Sequence, residues 1–278
     1  MLATGTWKIV SMKILLMIDK FAQPPPEGSR KEKMMNRNSA LIWLPKIEAL
    51  GLPTPKTIIV PYDHNGFVAM LEGEGRPKTF EPTVKAVKKA CGEIGYPCFI
   101  RTDLGSAKHD GPSAYLAKNE GEVKRVIGRT VEDNEIKFWL SGEPPIAFLI
   151  RKFLYLDISF NAFHDLPIAR EWRLFASPEK LICFHPYWPK EAIKFYKKEP
   201  KYWEKQLADH HVKPSKFKDL EIMAIRATKA CGGEWSVDFA MDILGKWWLI
   251  DMAVKQDSWH WEDCKFAPPP QEKRSARI

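Results

Sequence analysis

The stretch Trp235-Ser236-Val237-Asp238-Phe239-Ala240-Met241-Asp242-Ile243-Leu244-Gly245-Lys246-Trp247-Trp248-Leu249-Ile250-Asp251-Met252-Ala253 decides the class of fold. Val237, Phe239 and Met241 alternate with Asp238, Ala240 and Asp242, and beyond Gly245 the residues Trp248, Ile250 and Met252 alternate with Trp247, Leu249 and Asp251. A period of two is that of a β-strand, so the segment reads as an antiparallel hairpin. A two-residue turn at Leu244-Gly245 sets Asp238 directly opposite Asp251 on one face. Two carboxylates with Cβ atoms roughly 5 Å apart repel each other unless positive charge lies between them. Mg2+ supplies such charge, because it binds one or two carboxylates together with phosphate oxygens. The competing reading is a register displaced by one residue, with one aspartate in a turn or in solvent.

Before the hairpin, residues 218–231 form an amphipathic helix with Leu220, Met223, Ala224, Ala227 and Cys231 on one side, closed by Gly232-Gly233. Residues 170–176 and 180–186 read as a second hairpin around Ser177-Pro178, and the lysine-rich stretch 189–220 as exposed helix. Apolar runs predict strands over 146–153 and 158–163. Further upstream, a helix opens at Glu81-Pro82 and carries Val84, Val87, Ala90, Cys91 and Ile94 to Gly95. A strand at 98–101, a polar loop at 103–111, a returning strand at 113–116 and a helix over 119–129 follow. Ser39 caps a helix through Leu41, Leu44, Ile47 and Leu50 that stops at Gly51, before a strand at 57–60. With an apolar strand at 14–18, these form a small parallel α/β unit. Residues 1–11 read as an extension, 22–39 as a proline-rich mobile loop and the tail from Pro268 as disordered. The class is α+β, divided into 1–80, 81–150, 151–265 and a tail, 266–278.

The chain has 278 residues, 45% of them hydrophobic and 28% charged, with 11 Trp and 15 Phe, which suits a thick globular core and excludes global disorder. Its net charge of +8 points either to an anionic partner, nucleotide or RNA among them, or simply to a basic soluble surface. The run Ile14–Ile18 is too short to span a membrane, so a cytoplasmic protein without membrane partner is expected. Five cysteines without a C-x-x-C pair read as reduced, mostly core thiols, and the seven histidines show no zinc spacing. His210-His211 reads as surface rather than ligand. Trp259-His260-Trp261 reads as packing on the core, or as a stacking surface for a ring. No Walker loop, dinucleotide fingerprint or nucleophile–histidine arrangement is present.

A triphosphate site needs cations aimed at one place. Arg101 at a strand end, Lys108 in the loop after it, Arg151 and Lys152 on strand 146–153, and Arg173 are the candidates, against the reading of each as a solvated surface group.

In order and spacing these pieces resemble the ATP-grasp superfamily over about residues 12–264. Tyr96-Pro97-Cys98-Phe99-Ile100-Arg101 resembles its first phosphate-contacting strand, and loop 103–111 with Lys108 its lid. Phe148-Leu149-Ile150-Arg151-Lys152-Phe153 resembles the strand that meets adenine. Asp157 falls where a ribose-binding acid often sits. Glu171-Trp172-Arg173-Leu174-Phe175 is similar to the segment whose arginine meets phosphate, and Val237-Asp238 and Leu249-Ile250-Asp251 resemble the metal-ligand strands. The likeness is strongest to the arginine- and lysine-bearing branch, which includes phage and bacterial proteins and the eukaryotic cell-division-cycle family that helps assemble a translation initiation factor. The resemblance implies an ATP-grasp fold and an ADP-forming ligase that joins a carboxylate to an amine through an acylphosphate. It implies ATP held by Arg101, Lys108, Arg151, Lys152, Phe153, Asp157, Arg173 and Leu249, Mg2+ on Asp238 and Asp251, and catalytic charge from Arg173 and Lys108. The alternatives are an ATP-binding assembly factor and an RNA-binding or RNA-modifying protein. Ala253 stands where the family commonly has asparagine; either Gln256 or Asp257 replaces that ligand, or it is missing, or one Mg2+ alone binds tightly.

Overall fold

The computed structural model describes residues 36–106, 108, 111–141 and 143–267, and of 136–141 the backbone alone. The strand expected at 14–18, the segments 1–11 and 22–35 and the tail from Pro268 lie outside the described residues. In chain order the elements are α1 (Ala40–Ala49), β1 (Thr57–Pro61), α2 (His64–Leu71), α3 (Phe80–Ile94), β2 (Cys98–Thr102), α4 (Pro112–Tyr115), β3 (Leu116–Ala117), α5 (Val123–Ser141), β4 (Ala147–Lys152), β5 (Ile158–Ala162), β6 (Leu166–Ala169), β7 (Glu171–Ala176), β8 (Leu181–Pro186), α6 (Trp203–His211), α7 (Phe217–Cys231), β9 (Trp235–Met241) and β10 (Trp247–Val254).

The helix signals hold where a cap and a stripe agree. Ser39 Oγ accepts the Leu41 N–H at 3.3 Å at the start of α1, and Gly51 takes φ +66° beyond its end. In α3 the residues Val84, Val87, Ala90 and Cys91 are buried, as are Leu220, Ala224 and Ala227 in α7.

Elsewhere the chain departs from the reading. The strand expected at 113–116 is the single turn α4, started by Pro112 at its first position and followed by the two-residue β3. The helix expected over 119–129 begins at Val123 and runs to Ser141. The stretch 189–220 is not one helix: Pro189, Pro200 and Pro214 interrupt it, leaving a turn at Lys190–Ala192, then α6 and the start of α7. β1 pairs antiparallel with β4, so it belongs to the sheet of 98–152.

Two antiparallel four-stranded sheets result, ordered β1-β4-β2-β3 and β10-β9-β7-β8, with a separate β5–β6 hairpin. α2, α3 and α5 cover one face of the first sheet around Phe67, Val84, Val87, Ile100, Ile127 and Phe148. α1 and α7 cover one face of the second around Trp43, Leu44, Leu220, Leu174, Val237 and Phe239. The hairpin packs with α6, Trp188 and Trp203 into a third cluster. Because side chains alternate, the residues not committed to these cores share the opposite faces: Phe99, Arg101 and Arg151 on the first sheet, Glu171, Arg173 and Asp238 on the second.

The β9–β10 hairpin turns differently from the expectation. Asp242 N–H donates to the Lys246 carbonyl at 2.9 Å and Gly245 takes φ +77°, so the loop is the three residues Ile243–Gly245. Trp247, Trp248 and Leu249 pair with Met241, Ala240 and Phe239, one step from the expected register. A bulge at Ile250 then absorbs that step, and Asp251 pairs with Asp238 after all. Its consequence is a change of face. Leu249 and Met252 both enter the core, and Asp251 between them turns toward Asp238. Regular alternation from Leu249 would have driven the Asp251 carboxylate into that core.

Candidate functional site

Register places Asp251, Asp238, Arg173 and His185 in one row across β10, β9, β7 and β8. Arg173 donates from Nε to Asp238 Oδ1 at 2.7 Å and from Nη2 to Oδ2 at 2.8 Å, a two-pronged pair. Arg101 Nη1 meets Asp251 Oδ2 at 2.9 Å from the facing sheet. The repulsion between the two aspartates is thus offset by a guanidinium on each.

These groups open onto a cleft of about 910 Å3, solvent at its mouth included. Arg101, Lys108, Arg151, Lys152 and Phe153 line it with Asp238 and Asp251. Glu171 lines it as well, and so do the apolar Leu154, Leu156, Ile158 and Leu166.

The electrostatics are those of crowded, mostly buried charge. Burial opposes ionisation of Asp251, but Arg101 and then Arg151 outweigh it and hold its carboxyl below the ordinary range. Burial likewise opposes the charge on Lys108, and Glu171, Tyr187 and Asp238 together hold its ammonium above the usual lysine value. Lys108 Nζ sits 3.5 Å from Glu171 Oε2 and 4.3 Å over the Tyr187 ring. Glu171 is raised by burial, against the pull of Lys108. Arg151 is pushed down to about 10 by burial and by the adjacent Arg101. Its Nη1 donates to the Ile250 carbonyl at the bulge at 2.5 Å, while Nε and Nη2 are buried without a partner among the described residues. Two arginines side by side, one with spare donors, form an anion site in waiting.

Three expected site residues are placed differently. Leu249 is fully buried in the core of the second sheet, because the bulge puts it there rather than against the cleft. Asp157 is not among the cleft residues; its Oδ2 accepts Arg170 Nε at 2.8 Å. Arg173 lies beside Asp238 on the next strand, holding it and 4.7 Å over the Tyr187 ring, and is not itself among the lining residues. Neither Gln256 nor Asp257 lines the cleft, and Asp257 Oδ2 accepts Asn38 Nδ2 at 2.8 Å.

The sequence reading missed Glu171, although the period of two in Glu171-Trp172-Arg173 already sets it on Arg173's face. It also missed Tyr115 and Tyr187, for which no local pattern exists. His210 is a correction: it is 3% exposed and bonds Ser159 Oγ at 2.6 Å, so it is no surface group.

No family model matches the chain, and no curated protein does. Among solved structures, C-terminally truncated Cdc123 from Schizosaccharomyces pombe is 13% identical, over 78% of this chain and 83% of that one, with a TM-score of 0.49. The biotin carboxylase domain of the Hydrogenobacter thermophilus 2-oxoglutarate carboxylase, solved with MgADP, ADP and bicarbonate, is 13% identical over 78% and 39%, with a TM-score of 0.47. A RimK domain ATP-grasp protein from Sphaerobacter thermophilus is 16% identical over 78% and 59%, with a TM-score of 0.40. The likeness is one of outline, to proteins of the ATP-grasp kind. At such low scores a shared outline does not carry chemistry across.

Proposed function

We propose that the cleft binds ATP with Mg2+ and that the protein is an ATP-grasp ligase, joining a carboxylate to an amine through an acylphosphate with release of ADP. One observation carries the reading: Arg101, Arg151 and Lys108 meet Asp238, Asp251 and Glu171 in a cleft that Phe99, Phe153, Leu154 and Leu156 also line. A nucleoside triphosphate needs both, cations for its phosphates and apolar surface for its flat base.

The carboxylates suit Mg2+. A carboxylate offers about four lone-pair sites. Arg173 takes one on each Asp238 oxygen, and Asp251 gives one oxygen to Arg101 and the other to the Met252 N–H at 3.0 Å, so both retain acceptor capacity. An oxygen-only donor set is what this hard cation takes. Asp238 and Asp251 would hold it, with Glu171 beside them, and it would neutralise phosphate charge. Arg101 and Arg151 would bind phosphate oxygens, and Lys108, beside Glu171, would stabilise charge as the terminal phosphoryl group leaves. Phe153 and Lys152 at the strand end would border the base. No protein nucleophile is needed, because positioning and electrostatics suffice for phosphoryl transfer.

A second reading, an ATP-binding assembly factor in the cytoplasm without ligase turnover, is favoured by Ala253. After the bulge Ala253 shares Asp251's side of β10 and offers no donor there. The test is ADP release on incubation with panels of acids and amines. Turnover abolished by Asp251→Asn supports the ligase. Tight ATP binding with no hydrolysis under any pair supports the assembly factor, and steeply salt-dependent RNA binding would instead favour a nucleic-acid role.

A further inference from the structure

Away from the cleft, at the far end of the same cross-strand row, four metal-ligating side chains meet. Cys183 and His185 project from β8, the edge strand, and His260 and Cys264 come from the segment after β10. One ligand atom from each lies within 4.8 Å of all the others. Cys183 Sγ is 3.6 Å from His260 Nδ1, and the Nε2 atoms of His185 and His260 are buried without a hydrogen-bond partner among the described residues.

We propose that Cys183, His185, His260 and Cys264 bind one Zn2+ ion, which pins the segment 258–264 to the edge of the second sheet.

Tetrahedral zinc with Zn–S of about 2.3 Å and Zn–N of about 2.0 Å separates neighbouring ligand atoms by roughly 3.3–3.8 Å. The Cys183–His260 distance is already inside that range, and the outermost pair needs to close by about 1 Å, which side-chain torsions supply. A set of two thiols and two imidazoles selects zinc over the oxygen-seeking Mg2+. Binding releases one proton from each thiol to solvent, so the dication and two thiolates form a neutral centre, the state that a half-buried pocket tolerates best. His260 is fixed by stacking on Phe175 at 3.7 Å, and Trp261 lies parallel to His185 at 5.9 Å. A shallow opening lined by Lys255, Gln256, His260 and Phe266 gives access from solvent.

The sequence spacing, C-x-H and then H-x-x-x-C some seventy residues later, matches none of the usual compact zinc patterns, which is why it escapes a motif search. Its position also links it to the cleft. His185 is paired across the strands with Arg173, whose Nη1 donates to the Trp259 carbonyl at 3.4 Å and whose Nε holds Asp238.

The test uses the full chain, free of any affinity tag, purified under reducing conditions and stripped with a chelator. Co2+ should bind at one per chain, giving an intense tetrahedral visible band and a thiolate charge-transfer band, and Zn2+ should displace it. Zinc titration of the wild-type chain should release one proton per thiol. Cys264→Ser should lose the charge-transfer intensity shared by that ligand, and His260→Gln should alter the visible band. If the variants do not fold, the wild-type cobalt spectrum and proton count decide alone. The proposal is overturned if the folded, reduced chain shows no cobalt bands with Co2+ in excess. It is equally overturned if the bands survive both substitutions, or if Cys183 and Cys264 are joined in a disulfide under those conditions.

Discussion

Arg173 holds Asp238 through both carboxylate oxygens, at 2.7 and 2.8 Å, with the acid's side chain 7% exposed and the arginine's 17%. A buried charge whose partner is removed costs far more than the pair contributes when intact. Arg173→Ala is therefore expected to lower unfolding free energy by about 3–5 kcal/mol. Arg173→Lys should recover part of the loss, since lysine restores the charge but not the fork. Urea denaturation of the three proteins checks the order.

The bulge at Ile250 is what turns Asp251 to the cleft, with Arg151 Nη1 bonded to the bulged carbonyl. Deleting Ile250 removes the extra residue, so Asp251 follows Leu249 in plain alternation and still faces Asp238 and the cleft, while the bulged carbonyl that Arg151 holds is lost. The expected outcome is a folded chain that keeps the carboxylate pair and loses about 1.5–3 kcal/mol of stability with the hydrogen bond to Arg151. Ile250→Ala, which keeps the backbone bulge and that hydrogen bond, should stay near wild-type stability and bind nucleotide within a few fold of wild type; urea denaturation of both variants separates them.

Stability should fall between about pH 6.5 and 4 on account of the buried His210, which burial and then Arg170 push down to about 4. Above that window the imidazole is neutral in both states and contributes nothing. Within it the unfolded chain takes up the proton first, so stability declines as pH falls, by up to about 3 kcal/mol at the lower end. His210→Gln should flatten this limb in thermal melts recorded across the range. Asp251 acts lower still: its depressed carboxyl contributes stability above the ordinary carboxylate value, lost as pH drops below about 4 toward its folded value.

How far these features were legible depends on how local their causes are. The carboxylate pair was reached from alternation alone, yet by two compensating errors, a turn one residue too short and an unseen bulge. Nothing in Leu249-Ile250-Asp251 announces a bulge; it follows from Leu249 and Met252 both being needed by the core. Helices α3 and α7 are legible because the apolar stripe and the terminal glycine agree within one segment. The cations Arg101 and Arg151 were readable as polar interruptions of apolar strands. Tyr115, Tyr187 and the Cys183–His185–His260–Cys264 cluster were not, because strand pairing and the return of residues 258–264 assemble them from distant parts of the chain.

Lys108 sits 3.5 Å from Glu171, and Glu171, Tyr187 and Asp238 hold its charge. Lys108→Met should reduce ATP turnover about 10²–10³-fold, the usual effect of removing one preorganised charge stabiliser, while ATP affinity changes far less. Turnover rates set against binding constants for the same variant test this split.

The most direct measurement is calorimetric titration of the chain with a non-hydrolysable ATP analogue, with and without Mg2+, beside Asp251→Asn and Arg151→Ala. One nucleotide per chain should bind, Mg2+ should tighten it, and each substitution should weaken it at least about tenfold, one charged contact being worth roughly 1.5–3 kcal/mol. No binding at millimolar analogue, or binding indifferent to Mg2+ and to both substitutions, would contradict the assignment of the cleft.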